Sequence, residues 1–201
     1  MTYELLTALT GFAFVSSITP GPNNLMLMAS GANFGFRQTI PHMLGVGIGF
    51  VLMLIIVGLG LVQIFVIYPV TITALKVLSV IYMLFLAWKI ATAAPPEMGE
   101  AAGTPMTFLQ AAAFQWVNPK AWAMALTAMA AYAPSQTLLA VVWVGGVFGA
   151  VNFPSISAWT IMGQKIRKLL ASHRHLRVFN TVMAVLLILT LYPVLKSSGF
   201  Q

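Results

Sequence analysis

Residues 19–24 of the chain read Thr-Pro-Gly-Pro-Asn-Asn, and a second motif, Asn118-Pro119-Lys120, places its proline 99 positions after Pro20. Each motif interrupts a run that is otherwise apolar enough to cross a bilayer. Proline removes a backbone donor and clashes with the preceding turn, so both motifs predict broken or kinked helices. Inside a membrane such breaks persist only where protein or a wet cavity satisfies the freed backbone groups. Two matching breaks in two halves of a chain predict a transporter's substrate site.

The composition is that of a membrane protein. Of the 201 residues, 60% are hydrophobic and 6% are charged, whereas a soluble domain carries about 25% charged residues. The chain has no cysteine, which excludes a disulfide framework. The net charge of +7 gathers in short loops between apolar runs, where it sets membrane orientation and indicates no nucleic-acid partner. We therefore predict a single transmembrane transporter domain over residues 1–201.

Apolar runs of about 20 residues mark membrane spans. A turn-forming linker over Ala94–Thr107 divides the chain into a first repeat, residues 1–93, and a second repeat, residues 108–201. Each repeat has three spans, so the second enters the membrane upside down relative to the first. The predicted fold is an all-α inverted repeat with helices 1 and 4 broken at their prolines. The six spans are Leu5–Ala32, Ile40–Val66, Val70–Ala93, Phe108–Ala131, Thr137–Met162 and Phe179–Leu195.

Two pairs of glycines echo each other across the halves. Gly45 and Gly49 lie in the second span, and Gly145 and Gly149 lie 100 positions later in the fifth. Small residues four positions apart let helices approach closely, either within one chain or between two copies. The pairs therefore support the repeat and also allow a homodimer.

Basic residues indicate which way the chain crosses the membrane. The connections after the first, third and fifth spans contain or adjoin seven lysines and arginines, and the opposite side offers only Lys196. Positively charged loops stay in the cytoplasm, so both termini are predicted to be periplasmic. The alternative for Lys165–Arg177 is a contact with a cytosolic partner or with anionic lipid. The seven residues are Arg37, Lys89, Lys165, Arg167, Lys168, Arg174 and Arg177.

Lys120 places a charge at the middle of the fourth span. It lies about 12 residues from either end, or roughly 18 Å at 1.5 Å per residue, which is out of range for a snorkelling lysine. A charge at that depth marks a substrate pathway or a paired site. The spans contain no deep carboxylate, so a carboxylate of the substrate is the natural counter-ion. The alternative is that Lys120 merely caps a helix from a watery vestibule.

The first motif offers groups that suit a zwitterionic amino acid. Gly21 allows close backbone approach, and Pro22 suits the first turn of a restarting helix. Asn23 and Asn24 offer amide donors and acceptors. The alternative is a simple proline kink whose asparagines satisfy only the broken backbone. The predicted substrate-binding residues are Thr19, Pro20, Gly21, Pro22, Asn23, Asn24, Gln115, Asn118, Pro119, Lys120 and Asn152.

Three predictions concern other polar residues of the spans. Asn152 with Pro154 is expected to interrupt the fifth span and to line the cavity. Gln115 lies one turn before the second break. His42, near the inner end of the second span, is expected to be an interface residue, although it could titrate near neutral pH.

Missing motifs argue against other classes of protein. No Walker-type glycine loop, HExxH or GxSxG occurs, so neither ATP drive nor hydrolase chemistry is predicted. Without intramembrane carboxylates or cysteines a metal site is not expected, and no cofactor is predicted. Proton coupling would have to use Lys120, His42, water or the substrate. Two alternatives stay open: a membrane enzyme acting on a lipid-linked substrate, and a packing or regulatory subunit of a larger membrane complex.

The segment Ile18–Asn23 resembles the first motif of the lysine exporter (LysE) superfamily, specifically of its RhtB-like amino-acid exporters. Further matches are Gly35–Gln38, Tyr82-x-x-x-Leu86-Ala87-Trp88-Lys89 and Phe114–Ala121, in which Val117 replaces the leucine of the family's Leu-Asn-Pro-Lys block. The resemblance runs through nearly the whole chain. It implies efflux of amino acids or their derivatives across the bacterial inner membrane, driven by protons.

Within that superfamily the combination of Thr-Pro-Gly-Pro-Asn-Asn and Gly-Phe-Arg-Gln is similar to the cysteine/O-acetylserine exporters. Exporters of basic amino acids in the superfamily tend to place aspartates in the membrane, and this chain has none. The resemblance therefore implies a neutral small-molecule substrate, such as a cysteine-pathway metabolite, threonine or homoserine.

Overall fold

The computed structural model of the chain describes residues 2–61, 63, 67–93, 104–133, 137–167, 172–192 and 195. Most of the predicted linker, residues 94–103, and the basic residues Lys168 and Lys196 lie outside this part of the chain. A π-helical turn over Val57–Leu61 continues the third helix, and a 3-10 turn over Gln115–Val117 continues the fifth. The α-helices of the described residues are α1 Tyr3–Ile18, α2 Pro22–Phe34, α3 Phe36–Ile56, α4 Val70–Ala91, α5 Phe108–Phe114, α6 Pro119–Tyr132, α7 Leu138–Arg167 and α8 His173–Leu189.

Capping residues determine where several helices begin. The side chains of Thr2 and Ser172 each accept a backbone N–H from the first turn of α1 and α8, respectively. Thr107 and Gln110 form a reciprocal capping box at the start of α5. Such caps satisfy amides that have no partner within the helix. Between α2 and α3, Gly35 has a φ of 82°, which glycine adopts without steric cost, so one residue suffices to separate the two helices.

The lengths of the helices support part of the predicted topology. Three described helices are long and apolar enough to cross a membrane, and the bent pair α1 and α2 makes a fourth if it counts as one span. These four correspond to the predicted second, third, fifth and first spans. The predicted fourth span is divided between α5 and α6, and the sixth only overlaps α8, which has 17 residues and begins at His173. The count of six spans therefore stays a prediction. The three long helices are Phe36–Leu61, Val70–Ala91 and Leu138–Arg167.

Glycines bring α2 and α7 into backbone contact. A side chain on Gly31 would overlap the carbonyl group of Thr160, and one on Gly163 would overlap the carbonyl group of Met28. Each helix thus presents a glycine to the other's main chain, which is how small residues allow helices to pack closely in membranes.

The glycine pairs that echo in sequence make different contacts. Gly45 and Gly49 lie against the backbone of α5, whereas Gly145 and Gly149 lie against the side chain of Val51 on α3. The two pairs are therefore not equivalent in the fold, although all four glycines lie in helix contacts. Their equal spacing in sequence does not itself reflect a structural repeat.

Buried apolar side chains form two clusters with a polar layer between them. The first cluster draws on α2, α4, α5, α8 and on residues near the start of α3 and the end of α7. The second draws on α1, α6 and the remaining parts of α3 and α7. On α7, Phe148 belongs to the second cluster and Ile156 to the first, with Asn152 between them. The interruptions at residues 19–21 and 115–118 fall at the same boundary.

Polar contacts tie several helix ends together at one end of the bundle. The backbone N–H of Phe36 donates to Oε1 of Gln164 at 2.8 Å, which joins the start of α3 to the end of α7. The amide of Asn180 donates to the carbonyl of Ala93 at 3.4 Å, which joins α8 to the end of α4. Asn33, near the end of α2, exchanges hydrogen bonds with Asn180 at 2.9 and 3.2 Å. Seven basic residues were predicted to face the cytoplasm, and the six of them that the structure describes lie at or near these helix ends.

Pro154 does not interrupt the fifth predicted span. Helix α7 runs from Leu138 to Arg167 with Pro154 inside it, so the predicted break at Asn152 and Pro154 is wrong. Proline costs a helix one hydrogen bond, but the chain leaves helical geometry only where the preceding residue also becomes extended. Phe153 remains helical.

Candidate functional site

Both proline motifs leave helical geometry immediately before a proline. Gly21 is fully extended, with φ −171° and ψ 176°, and Pro22 begins α2 at a bend of 54° from α1. Asn118 is also extended, with φ −89° and ψ 108°, and Pro119 begins α6. The side chain of Asn118 accepts the backbone N–H of Lys120 at 3.1 Å. Each motif therefore starts a new helix with proline in its first turn, where the missing N–H costs nothing.

Side chains satisfy the carbonyl groups at the end of α1. The amide of Asn24 donates to the carbonyls of Ser17 and Thr19, at 2.7 and 2.8 Å. The indole of Trp159, from α7, donates to the carbonyl of Ile18 at 3.1 Å. These bonds supply partners for carbonyls that would otherwise be unpaired at a helix end. They make the bend a defined structure rather than a frayed end.

Lys120 joins the second motif to the first. Its ammonium group donates to the carbonyl of Thr19 at 2.8 Å, to the hydroxyl of Thr19 at 3.0 Å and to the carbonyl of Pro20 at 3.4 Å. A Cβ atom on Gly21 would lie 2.6 Å from Cδ of Lys120, so any larger residue at this position would force the lysine side chain to shift. The two motifs, distant in sequence, are thus in direct contact.

A second bridge pairs the amides of Asn23 and Gln115. Asn23 donates to Oε1 of Gln115 at 2.8 Å, and Gln115 donates back to Oδ1 of Asn23 at 3.2 Å. Gln115 also donates to the carbonyl of Ala111 at 2.8 Å, one turn earlier in α5. Gln115 is completely buried. The pair holds the start of α2 against the turn that precedes the second break.

A small cavity of about 30 Å³, with both polar and apolar side chains in its lining, lies where the motifs meet. Among its described lining residues Lys120 is the one charged group. A volume of this kind has room for roughly two water molecules. The lining residues are Ser16, Ser17, Gly21, Asn23, Asn24, Phe50, Asn118, Lys120, Ala121, Met124, Asn152 and Ile156.

The structure brings the predicted residues together in two groups. Six of them line the cavity: Gly21, Asn23, Asn24, Asn118, Lys120 and Asn152. The other five surround it. Thr19 and Pro20 accept hydrogen bonds from Lys120, and Gln115 pairs with Asn23. Pro22 and Pro119 begin α2 and α6.

Sequence reasoning missed Ser16 and Ser17, which line the same cavity. The hydroxyl of Ser17 is buried and has no hydrogen-bond partner among the described residues. Both serines lie in the last helical turn before the Thr-Pro break, and that position could have indicated that they line the cavity. Phe50, Met124 and Ile156 were missed too, and their apolar side chains give no such signal.

The Asn23–Gln115 pair is expected to be strongly coupled. Replacing either residue with alanine removes both hydrogen bonds of the pair and leaves part of the other amide without a partner, which should cost about 2 kcal/mol of stability. The double substitution should cost less than the two single losses added together, since no orphaned amide then remains. Unfolding of the four proteins in detergent, followed by fluorescence, measures the coupling. Strictly additive losses would show that the two amides act independently.

Comparison with known proteins identifies the family. The LysE type translocator family matches residues 14–191, a range that includes both proline motifs and every lining residue of the cavity. The chain belongs to this family. The resemblance drawn from the two motifs is thereby confirmed, and the alternative of a membrane enzyme is wrong.

Relatives of this LysE-type translocator are similar along nearly its whole length. The cysteine/O-acetylserine efflux protein of Escherichia coli strain K12 is 33% identical over 192 residues, which cover 94% of this chain and 96% of that protein. The protein of the same name from Shigella sonnei gives the same values, and that from Escherichia coli O6:K15:H31 is 32% identical. No solved structure matches the chain. The family and the apolar helices together make the chain a multi-pass membrane transporter.

Proposed function

We propose that this translocator exports small neutral amino acids or their derivatives across the bacterial inner membrane, driven by a proton gradient. The observation that carries the proposal is the contact of the two proline motifs through Lys120, which places a cation and two helix starts at one cavity. The names of the relatives favour cysteine and O-acetylserine as first candidates. Threonine and homoserine are chemically similar further candidates.

The polarity of the cavity matches a zwitterion. Helices α2 and α6 begin there, and a helix N-terminus carries partial positive charge. Together with the ammonium of Lys120 they favour the substrate's carboxylate. The carbonyl end of α1, at Ser17 and Thr19, suits the substrate's ammonium. No carboxylate occurs among the described lining residues, so the side chain of a basic amino acid would lack a partner.

Binding requires the cavity to open. Its volume of about 30 Å³ is several times too small for an amino acid. In the proposed cycle the substrate's carboxylate replaces the carbonyl groups of Thr19 and Pro20 as the partner of Lys120. Separation of the two motifs then enlarges the cavity toward one side of the membrane at a time. Lys120 and His42 are the titratable groups through which a proton could be coupled to this movement.

Helix pairing supports an inverted repeat of six spans, with residues 94–107 as the linker between halves. Helices α1 and α2 pack along α7, and α5 and α6 pack against α3. The broken helix of each half therefore lies against the unbroken helix that follows the broken one in the other half, which is α3 in the first half and α7 in the second. A pseudo-twofold axis in the membrane plane produces such an exchange.

The proposed orientation places both termini in the periplasm, because six of the eight described lysines and arginines, all except Lys76 and Lys120, gather at the other end of the bundle. Membrane lipids would contact the exposed apolar side chains of α3, α4 and α8. We also propose a homodimer. Gly11 and Gly146 are exposed and meet no atom within 4 Å, so a second copy could approach closely there.

Transport assays in inverted proteoliposomes with an acidic lumen test the proposal. We expect saturable uptake of labelled O-acetylserine and cysteine, no uptake of lysine, and loss of uptake when a protonophore collapses the gradient. Undiminished uptake after that treatment would contradict proton coupling. No uptake of any neutral amino acid by well-folded protein would contradict the substrate class.

A further inference from the structure

A second cavity lies closer to the basic end of the bundle. Its volume is about 350 Å³, and it lies between α2, α3, α4 and the residues just before α5. Most of its lining is apolar, and a volume of this size is typical of sites for small molecules. Its polar lining residues are Ser30, Asn33, His42, Lys89, Thr92 and Thr104.

His42 is the unsatisfied polar group of this cavity. Its side chain is 2% exposed, and neither ring nitrogen has a hydrogen-bond partner among the described residues. Other buried lining groups are paired: the hydroxyl of Ser30 bonds to that of Thr39 at 3.0 Å, and Asn33 bonds to Asn180. The prediction that His42 is an interface residue is therefore wrong. An orphaned polar group in a buried place calls for an explanation, such as a ligand that completes it.

The charge of the lining indicates the class of ligand. Lys89, at the exposed end of α4, is the one charged residue among the described lining residues, which include no carboxylate. A ligand with a carboxylate is therefore favoured at the rim. Deeper in the cavity wall, the buried ring nitrogens of His42, which a ligand would reach after a small shift of the lining, supply one donor and one acceptor. A small neutral amino acid satisfies both requirements.

We infer that the larger cavity is a second binding site for the exported amino acid, occupied between the cytoplasm and the proline motifs. The inference rests on the proposed function. Helix α2 connects the two places, because Met26 lines the larger cavity and Asn23, one turn earlier, lines the smaller. Lys89 holds the carboxylate at the rim, and His42 hydrogen-bonds the ammonium or the side chain. The substrate then advances along α2 when the motifs separate.

Protection of an introduced thiol tests the site directly. The natural chain has no cysteine, so a single substitution gives a single reactive thiol. Thr104 is exposed and lines the cavity, so Thr104→Cys should react with a water-soluble maleimide in purified protein. We expect O-acetylserine, which has no thiol, to slow this labelling. The control Arg174→Cys, exposed near the start of α8 and outside the lining, should be labelled at the same rate with or without it.

A second substitution in the Thr104→Cys protein tests the role of His42. His42→Leu should raise the half-protecting concentration of O-acetylserine about five- to tenfold, as expected for a lost hydrogen bond. The same change should leave the unfolding temperature of the unliganded protein unchanged or higher, because it removes an unpaired buried polar group. His42→Gln keeps a donor and an acceptor and should keep most of the protection. A purely structural histidine would instead lower stability without changing the half-protecting concentration.

Three results would overturn the inference: no protection by O-acetylserine, equal protection in His42→Leu, or labelling blocked by added phospholipid alone. The third would make the cavity a site for acyl chains. Introducing Lys120→Ala separates this inference from the proposed function. We expect it to lower uptake about 100-fold but to retain protection of Thr104→Cys. Uptake without protection in the otherwise native protein would support the proposed transport function and contradict the second site. Protection without uptake would support the second site and contradict the transport function.

Discussion

Replacing Lys120 with alanine is expected to lower the rate of O-acetylserine transport about 100-fold. The ammonium group bridges the two motifs through Thr19 and Pro20 and is the one charge among the described residues that line the smaller cavity. A hydrogen bond to a charged group contributes about 1.5–3 kcal/mol, and each 1.4 kcal/mol is roughly a tenfold change in rate. Initial uptake rates in proteoliposomes that contain equal amounts of folded protein measure the effect.

Two further variants make the Lys120 result specific. Lys120→Arg keeps the charge but changes its shape, so it should retain roughly a tenth of the rate. Lys165→Ala removes an exposed lysine in the last turn of α7 and should transport at the native rate. Native rates in Lys120→Ala would instead support the alternative in which this lysine only caps a helix. A lower unfolding temperature alone would assign it a structural role.

Adding one methyl group at Gly31 or Gly163 is expected to destabilise the protein severely. The new Cβ would overlap a carbonyl group of the facing helix in each case, at Thr160 or at Met28. Backbone cannot rotate away as a side chain can, so α2 and α7 would have to separate. We expect Gly31→Ala and Gly163→Ala each to cost about 3 kcal/mol, which lowers the unfolding temperature by roughly 10 °C. Thermal unfolding in detergent, followed by loss of the monodisperse species, gives the values.

Gly11→Ala and Gly146→Ala provide matched controls for the glycine prediction. Both glycines lie within helices, and no atom lies within 4 Å of the Cβ that each would gain. Alanine is the better helix former by about 1 kcal/mol, so these two changes should leave the stability of the monomer in detergent equal or slightly higher, whatever their effect on the contact with a second copy. If all four substitutions had the same effect, helix propensity rather than the contact between α2 and α7 would explain it.

The positions of the breaks could be predicted because proline acts on its own neighbours. A missing donor and a clash with the preceding residue are local effects, so Pro22 and Pro119 mark helix starts in sequence as they do in the fold. Pro154 shows the limit of this argument. Its neighbour Phe153 stays helical because tertiary packing against α2 and α3 holds α7 together.

The partners of buried polar groups could not be predicted from residue types. Lys120 was expected to need a carboxylate, but its acceptors here include two backbone carbonyls. Every residue has a backbone carbonyl, so no sequence motif could have indicated these two. His42 carries no sequence signal for burial either. In the same way, regular glycine spacing drew attention to Gly45 and Gly145, whereas the backbone contact of α2 with α7 depends on Gly31 and Gly163.

The backbone contact between α2 and α7 determines which parts of the molecule can move. Two helices whose main chains touch cannot slide or turn past each other without breaking that contact, so α2 and α7 travel as one rigid body. Because α3 and α5 are joined in the same manner at Gly45, each rigid body combines a helix from one half of the chain with a helix from the other. The two halves of the chain are therefore interlocked rather than separate moving parts. The chain can bend instead at Gly21, between α1 and α2, and at Asn118, between α5 and α6, where the backbone is already extended.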